Sequence, residues 1–513
     1  MELGAERQRS YSRVIVSAVF VFFAVIFFLR SDKGMMDDPG LGWHLRIADR
    51  MWETRGFLYT EEFSLPSLGL SWVAYAWLGD IVMWFCDSWG GLNTIGALTA
   101  LNFALVLRIL QSRMTRDGVP WVVALMWTSV AAFGILPSCT ARPNMFTFVG
   151  LALTVATCER FHTGAMTRKQ TLWLLPLFLF WTNMHSGFLC GILALLTTYF
   201  VEFLLAVLAP PVTRHAARSR LAWWTVLGCI LFLVTLINPN GIHLYEHLLR
   251  TVADPHIQRS TTTEWLPPDF AARGWFLLES VVLLFPFLAA VSRRRPSPVA
   301  LALCLVFLHY GLIGSRYTGL WIVIAVPTLA NLSCAISLLQ PLRLWLNRNT
   351  SPEFRGMFAR DTSRASLLPG FAFAAAFLLT SRWLPPISAH DQTNMPTVAL
   401  DKLLDAYRGE RVFHSVNWGG YLTWHGRDLQ PPFMNWIDDR LEVHGPEHLA
   451  DYRSILNAAV DWDKKLDAHR INLVCLPTDA QLVGYIRRDP RWTEIYSDQH
   501  AVIYRRSEEP TDQ

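Results

Sequence analysis

Asp37 and Asp38 stand together ahead of Pro39 and Gly40, just past the first long apolar stretch, Val14–Leu29. A carboxylate held there can take up a proton or bind a metal ion. The same residues are strong turn chemistry, so a structural reading stands beside the chemical one. Cationic groups recur at the ends of later apolar stretches, at Arg142, His185 and Arg316. They can donate to an anion. Arginines at helix ends also snorkel, and a histidine there can bond a backbone carbonyl. Asn238 opens Asn238-Pro239-Asn240-Gly241, an excellent turn, and Glu264-Trp265 is either polar chemistry or an interface anchor. No P-loop, G-x-G-x-x-G, G-x-S-x-G or H-E-x-x-H occurs. ATP-driven transport by this chain alone and zinc proteolysis therefore have no support.

These groups need elements to hold them, and composition says which kind. The chain of 513 residues is 52% hydrophobic and 17% charged, with mean hydropathy +0.27. A soluble chain would carry about 25% charged residues. Disordered, collagen-like and disulfide-rich classes are excluded. A net charge of +4 points to no nucleic-acid partner. Of eight cysteines, only Cys475 lies outside apolar surroundings, and no C-x-x-C occurs. They read as small buried hydrophobes rather than a zinc site or redox pair.

A membrane span needs about 20 apolar residues. Candidate spans are 13–29, 91–111, 119–136, 144–162, 170–183, 187–209, 221–237, 274–291, 298–313, 318–339 and 366–380. The expected fold is thus an α-helical polytopic membrane protein of about 11 transmembrane helices. Placing the N-terminus in the cytoplasm puts Arg113, Arg116, Arg160, Arg168, Lys169, Arg214, Arg218, Arg220 and Arg293–Arg295 in cytoplasmic loops. The short outer connections then carry only Arg142 and Arg316, as positive-inside orientation requires. Residues 71–88 are apolar but contain Asp80 and Asp87, and a span there would invert every later loop. They read as an interfacial or re-entrant helix whose tryptophans suit the headgroup level. Ser31-Asp32-Lys33 is no cleavage site, so the first span should remain as an anchor. Arg108, Glu202 and His309 fall inside spans and read as structural.

The expected division is a transmembrane domain over 1–380, with a first outer loop at 30–90, and an exocytoplasmic domain over 381–513. In the tail, RVFHSV, LVCLP and AVIYRR read as strands and 446–469 as helical, giving a small α/β unit. Asp438-Asp439-Arg440 with Trp418, Trp424 and Trp436 suggests either a carbohydrate platform or a packed core.

The first outer loop gives Asp37-Asp38-Pro39, His44-Leu45-Arg46 and Trp52-Glu53-Thr54-Arg55-Gly56. An acidic pair after the first span, followed by an amphipathic helix, resembles the GT-C superfamily of multispanning glycosyltransferases. The chain is more closely similar to an uncharacterised bacterial membrane family with a D-P-x-x-W-W-H-L-R motif. Matching motifs continue at Ala141-Arg142-Pro143, Trp181-Thr182-Asn183-Met184-His185-Ser186-Gly187, Asn238-Pro239-Asn240-Gly241, Glu264-Trp265 and Asn417-Trp418-Gly419-Gly420-Tyr421-Leu422. The last is Asp438-Asp439-Arg440. Each is weak alone, but their order is fairly specific.

The resemblance implies sugar transfer from a polyprenyl-phosphate donor to an acceptor on the outer face of a bacterial inner membrane. Asp38, or Asp37, would be the catalytic carboxylate. His44, Arg46, Arg142, His185, Asn238, Glu264 and Arg316 would bind substrate. A divalent metal is a candidate cofactor, and membrane lipid and a lipid-linked sugar are the implied partners. The family's W-x-x-H-E-W-L is here Trp72-Val73-Ala74-Tyr75-Ala76-Trp77-Leu78, so Ala76 replaces its acidic residue, with Asp80 one turn on. Two rivals follow, a lipid-linked substrate carrier or flippase and a catalytically silent scaffold. A carrier should line its midplane with polar groups, whereas this chain gathers its acids in the outer loop. A topology reporter fused at Leu400 should signal from the outer side; a cytoplasmic signal would invert the whole orientation.

Overall fold

Lipid cannot satisfy backbone polar groups, so spanning apolar runs fold as helices. The computed structural model describes residues 18–30, 38–253, 263–336, 348, 367–387 and 395–507. Every expected span lies on a helix over its described part. These are α1 (Ala18–Leu29), the second half of α3 (Trp77–Arg116), α4 (Trp121–Ile135) and α5 (Met145–His162). Then come α6 (Arg168–Thr171), α7 (Leu174–Met184), α8 (Phe188–Leu208), α9 (Pro211–Thr235), α11 (Phe276–Val291), α12 (Pro298–Ile313), α13 (Thr318–Ser333) and α14 (Leu367–Thr380). Five segments are long and apolar enough to cross by length and composition: Trp77–Arg116, Trp121–Ser138, Phe188–Leu208, Pro211–Thr235 and Arg273–Val291. The protein is an α-helical polytopic membrane protein with a small C-terminal α/β domain.

Helix α3 is not one rod. Gly90 and Gly91 are non-helical, and Gly91 has φ 59, ψ −150, which favours glycine. Residues 77–89 are thereby separated from the expected span at 91–111.

Two compact units emerge. One comprises Met1–Leu29, Gly96–Gly241 and Thr262–Leu384; the other Arg30–Ile95, Ile242–Thr261 and Pro385–Gln513. The sequence division left the first outer loop with the helical domain, whereas its contacts group it with the tail. Within the helical unit, α13 is buried nearly all round, from Leu320 to Ala330. Helices α4, α5, α11 and α12 pack on it, as expected of a helix apolar on every face. The Trp127 indole donates to Ser333 Oγ (3.1 Å), and Trp321 donates to the Cys304 carbonyl (3.1 Å).

The second unit carries a four-stranded sheet, β1 (Arg411–His414), β2 (Ile471–Pro477), β3 (Trp492–Ser497) and β4 (Ala501–Arg506), in the order β1-β2-β4-β3. Strands β1 and β2 are parallel and the others antiparallel. The three expected strands are present; β3 lies at the sheet edge and buries mainly Trp492, so its pattern carries little signal. The expected helix at 446–469 is two, α17 (Leu441–Leu456) and α18 (Trp462–Ala468). Helices α15 (Thr397–Ala406) and α16 (Gly419–His425) pack beside the sheet's other elements. Trp418 and Trp436 sit in the cores, each 1% exposed, and Trp424 lies under Arg427, so the sugar-platform reading of these rings is not met.

The first outer loop is built into this unit. Its amphipathic helix α2 (Leu41–Thr54) buries Trp43, Leu45, Ile47, Ala48 and Met51. It starts against α16 with backbones nearly touching. A Cβ on Gly42 would lie 2.1 Å from the Gly420 carbonyl oxygen, and one on Gly420 would lie 2.2 Å from that of Pro39. Trp43 donates to Asp439 Oδ1 (2.8 Å). Arg440, 1% exposed, donates to Glu61 (2.7 and 3.2 Å) and to Asp438 (2.6 Å), enclosed by Trp43, Phe63 and Trp72. His444 also faces Asp438 (3.1 Å). Asp438-Asp439-Arg440 is therefore a clamp on the first loop. Burial alone would raise the Asp438 carboxyl, but Arg440 and His444 hold it well below the ordinary range.

Arg440→Met strands two buried carboxylates and should cost about 3–5 kcal/mol. Gly420→Ala overpacks the contact and should cost about 1–3 kcal/mol. Denaturant unfolding of the purified protein measures both, and an unchanged midpoint would remove the clamp's structural role. Because the Asp438 pKa is depressed, its contribution is present above about pH 4 and lost as pH falls below it.

Candidate functional site

Candidate side chains form one group in each unit. In the second unit, Asp38 closes the turn before α2 and is 7% exposed. Its Oδ1 accepts from the Gly40 amide (2.8 Å) and its carbonyl from that of Leu41 (3.2 Å). The turn expected from Asp-Pro-Gly is formed, and it fixes the carboxylate's direction. Asp37 lies outside the described residues. His44, one turn into α2, is buried, stacks on Trp43 (3.6 Å) and meets Asp80 Oδ1 through Nδ1 (2.6 Å). Asp80 accepts from Nδ1–H, so Nε2 is the ring's accepting nitrogen. Asp80 is thus a buried orienter of His44 rather than an open replacement for the carboxylate lost at Ala76. Arg46 donates to Asp49 (2.6 Å) and Glu53 (3.4 Å) and lies over Phe63 (5.6 Å). Its charge is balanced along α2 itself.

In the helical unit, Arg142, His185, Glu264 and Arg316 come together at helix ends. His185 caps the C-terminus of α7 in extended backbone. The spacing of Trp181, Asn183, His185 and Gly187 now has a physical reading. Trp181 packs against Gly150 and Gly191. Asn183 donates to the Ile237 carbonyl (2.9 Å), tying α7 to the turn at Asn238. Gly187 leaves room for Thr147, whose Oγ1 would lie 1.9 Å from any Cβ there. The Gly187 amide (2.9 Å) and the Thr147 hydroxyl (2.9 Å) converge on His185 Nδ1. An Nδ1 that accepts an amide proton carries none, so the ring's proton is assigned to Nε2. Burial, then the charges of Arg316 and Arg142, lower the His185 pKa to about 3. It is a neutral N–H donor flanked by cations.

Arg316 meets Glu264 (3.4 Å) and lies over the Trp265 ring (4.2 Å). Ser315 holds the two segments together, its amide donating to the Leu266 carbonyl (2.8 Å) and its hydroxyl to that of Glu264 (3.0 Å). Burial raises the Glu264 carboxyl, but Arg316 and Arg142 outweigh it and hold it below its ordinary value. Two arginines against one carboxylate leave the cluster positive, suited to an oxyanion. Asn238 is spent on its own turn, donating to the Thr235 and Gly241 carbonyls and accepting from the Asn240 amide. Sequence reasoning passed over Thr147, and nothing in its local pattern marks it. Among the described residues, no group of three His, Cys, Asp or Glu side chains is arranged to hold a metal ion.

No protein-family model matches the chain, and no curated protein matches it in sequence. Among solved structures it is similar to the archaeal oligosaccharyltransferase AglB from Archaeoglobus fulgidus, in complex with an inhibitory peptide and a dolichol-phosphate. The TM-score is 0.56 and the identity 11%, over 98% of this chain and 75% of that one. The fold is that of the GT-C superfamily. The GT-C-like chain is also similar to ArnT from Cupriavidus metallidurans bound to undecaprenyl phosphate, with TM-score 0.47 and 14% identity over 95% and 97% of the two chains.

Nitrogen-15 NMR of histidine-labelled protein should find His185 neutral and protonated on Nε2 at pH 5, where an ordinary histidine is charged. Its lowered pKa also makes stability fall as pH drops from about 6.5 toward about 3, because only the unfolded chain takes the proton in that window. A charged His185 at pH 5 would overturn the assignment.

Proposed function

We propose that this GT-C-fold protein transfers a sugar from a polyprenyl-phosphate donor to an acceptor on the outer face of the membrane. The observation that carries the reading is the Arg142–Arg316 pair around a neutral His185 donor. Such a group stabilises the negative charge that gathers on a departing phosphate. The dolichol-phosphate in the AglB complex supports a lipid phosphate as the donor's carrier. In the proposed reaction the acceptor oxygen attacks the sugar's anomeric carbon. The sugar–phosphate C–O bond breaks, and the lipid phosphate leaves with its electron pair. Asp38 takes the acceptor's proton, and Pro39 together with the bond from Gly40 sets its direction. Asp80 holds His44 as a polar group whose Nε2 accepts. The Lys/Arg alternation supports an orientation with the tail outside, in a bacterial inner membrane.

Donor turnover by the purified protein in detergent or liposomes tests this, with release of polyprenyl phosphate as the readout. Arg142→Ala and Arg316→Ala each remove a charge-assisted donor and should raise the donor KM about 10–100-fold. Asp38→Asn should keep the turn but lower kcat by about 10²–10⁴. Full activity in both Asp37→Asn and Asp38→Asn would end the transferase mechanism and put the carrier reading in its place.

A further inference from the structure

The helical unit holds a cavity of about 460 Å³ that the proposed chemistry does not use. Leu98 and Leu105 of α3, Leu153 of α5, and Phe371 and Leu378 of α14 form its apolar wall. Leu98 to Arg116 is one stripe of α3 and rises about 27 Å, close to the thickness of a bilayer's hydrocarbon core. Leu98 and Leu378 mark one end. Arg108, Arg116 and Arg160 mark the other, and no Asp or Glu lines the cavity among the described residues. Two carboxylates stand near that mouth. Glu159 is engaged by Arg113, and Asp117 is shared by the charges of Arg113, Arg116, Arg160 and Arg294. Cations still outnumber acids there.

The arginine end is also the end of α5 away from Arg142. Helix α5 runs from Met145 to His162, about 27 Å, so the cavity's mouth and the Arg142–His185 cluster lie at opposite ends of it. The Lys/Arg alternation assigns the mouth to the cytoplasmic leaflet.

We propose that this groove binds an anionic phospholipid of the surrounding bilayer. Its hydrocarbon chain lies along α3 and α14, and its phosphate meets Arg108, Arg116 and Arg160. The pairing of a long apolar channel with a cationic end matches a lipid that carries a net negative headgroup, and basic pockets between helices bind such headgroups. A free phosphate would leave the apolar wall unused.

Native mass spectrometry of the purified full chain tests it. The probes are phosphatidylglycerol and phosphatidylcholine with identical acyl chains. The wild type should retain phosphatidylglycerol in preference. The combined variant Arg108→Gln, Arg116→Gln, Arg160→Gln should lose that preference, by roughly fivefold per arginine. Ala374→Trp fills the groove and should reduce retention of both lipids while all three arginines stay. Thermal melts check folding, and if the combined variant does not fold, Arg160→Gln and Ala374→Trp carry the test. Equal retention of both lipids by the wild type, or a preference that survives these substitutions, would overturn the proposal. So would polyprenyl phosphate displacing phosphatidylglycerol from the wild-type groove.

Discussion

A buried guanidinium is the constraint on which the second unit depends. Arg440 cannot leave water without compensation, and its two carboxylate partners come from distant parts of the chain. Asp438 is its near neighbour in sequence, whereas Glu61 is 379 positions away. Such an ion group contributes little net stability against an apolar alternative, but breaking it is costly. It therefore specifies one arrangement rather than merely adding cohesion. The close backbone contact of Gly42 with Gly420 and the Trp43–Asp439 bond follow the same register. Together they fix the start of α2, and with it the turn of Asp38 and the ring of His44.

The helical unit solves a different problem, that of presenting polar groups at the ends of apolar helices. Packing around α7 does this. Trp181 wedges against glycines, Asn183 ties the helix to the next turn, and His185 emerges where α7 stops. Its ring is then held neutral by an amide that donates to Nδ1 and by two nearby cations. The cations do two things at once. They keep the histidine a donor, and they keep Glu264 ionised despite its burial. The arginines at the far end of α5 stand over an apolar groove instead, so one residue type serves two different surfaces.

The amphipathic helix, the separation of 71–88 from the following span, and the α/β tail are legible in the sequence because each rests on local periodicity, charge alternation or glycine placement. Strand β3 is not legible, since at a sheet edge it buries little beyond Trp492. The convergence of Arg142, His185, Glu264 and Arg316 is half legible. Their positions at span ends follow from topology, but the Thr147 hydroxyl that sets the His185 tautomer has no local mark.

By itself, the sequence determined that this is a helical membrane protein with one acidic outer loop and a soluble tail. Apolar length and charge alternation are properties of contiguous residues, so they can be read along the chain. Only the tertiary structure decided what the tail motifs are for. Asp438-Asp439-Arg440 and the Gly419-Gly420 pair look like a sugar platform and a loop when read linearly. They are a charge clamp and a clearance for backbone, because their partners Glu61, Trp43 and Gly42 lie hundreds of positions earlier. Likewise Asp80 could be read as a spare catalytic acid until burial and a 2.6 Å contact made it the partner of His44. Those outcomes depend on which side chains lose water together, and folding decides that across distances the linear pattern does not encode.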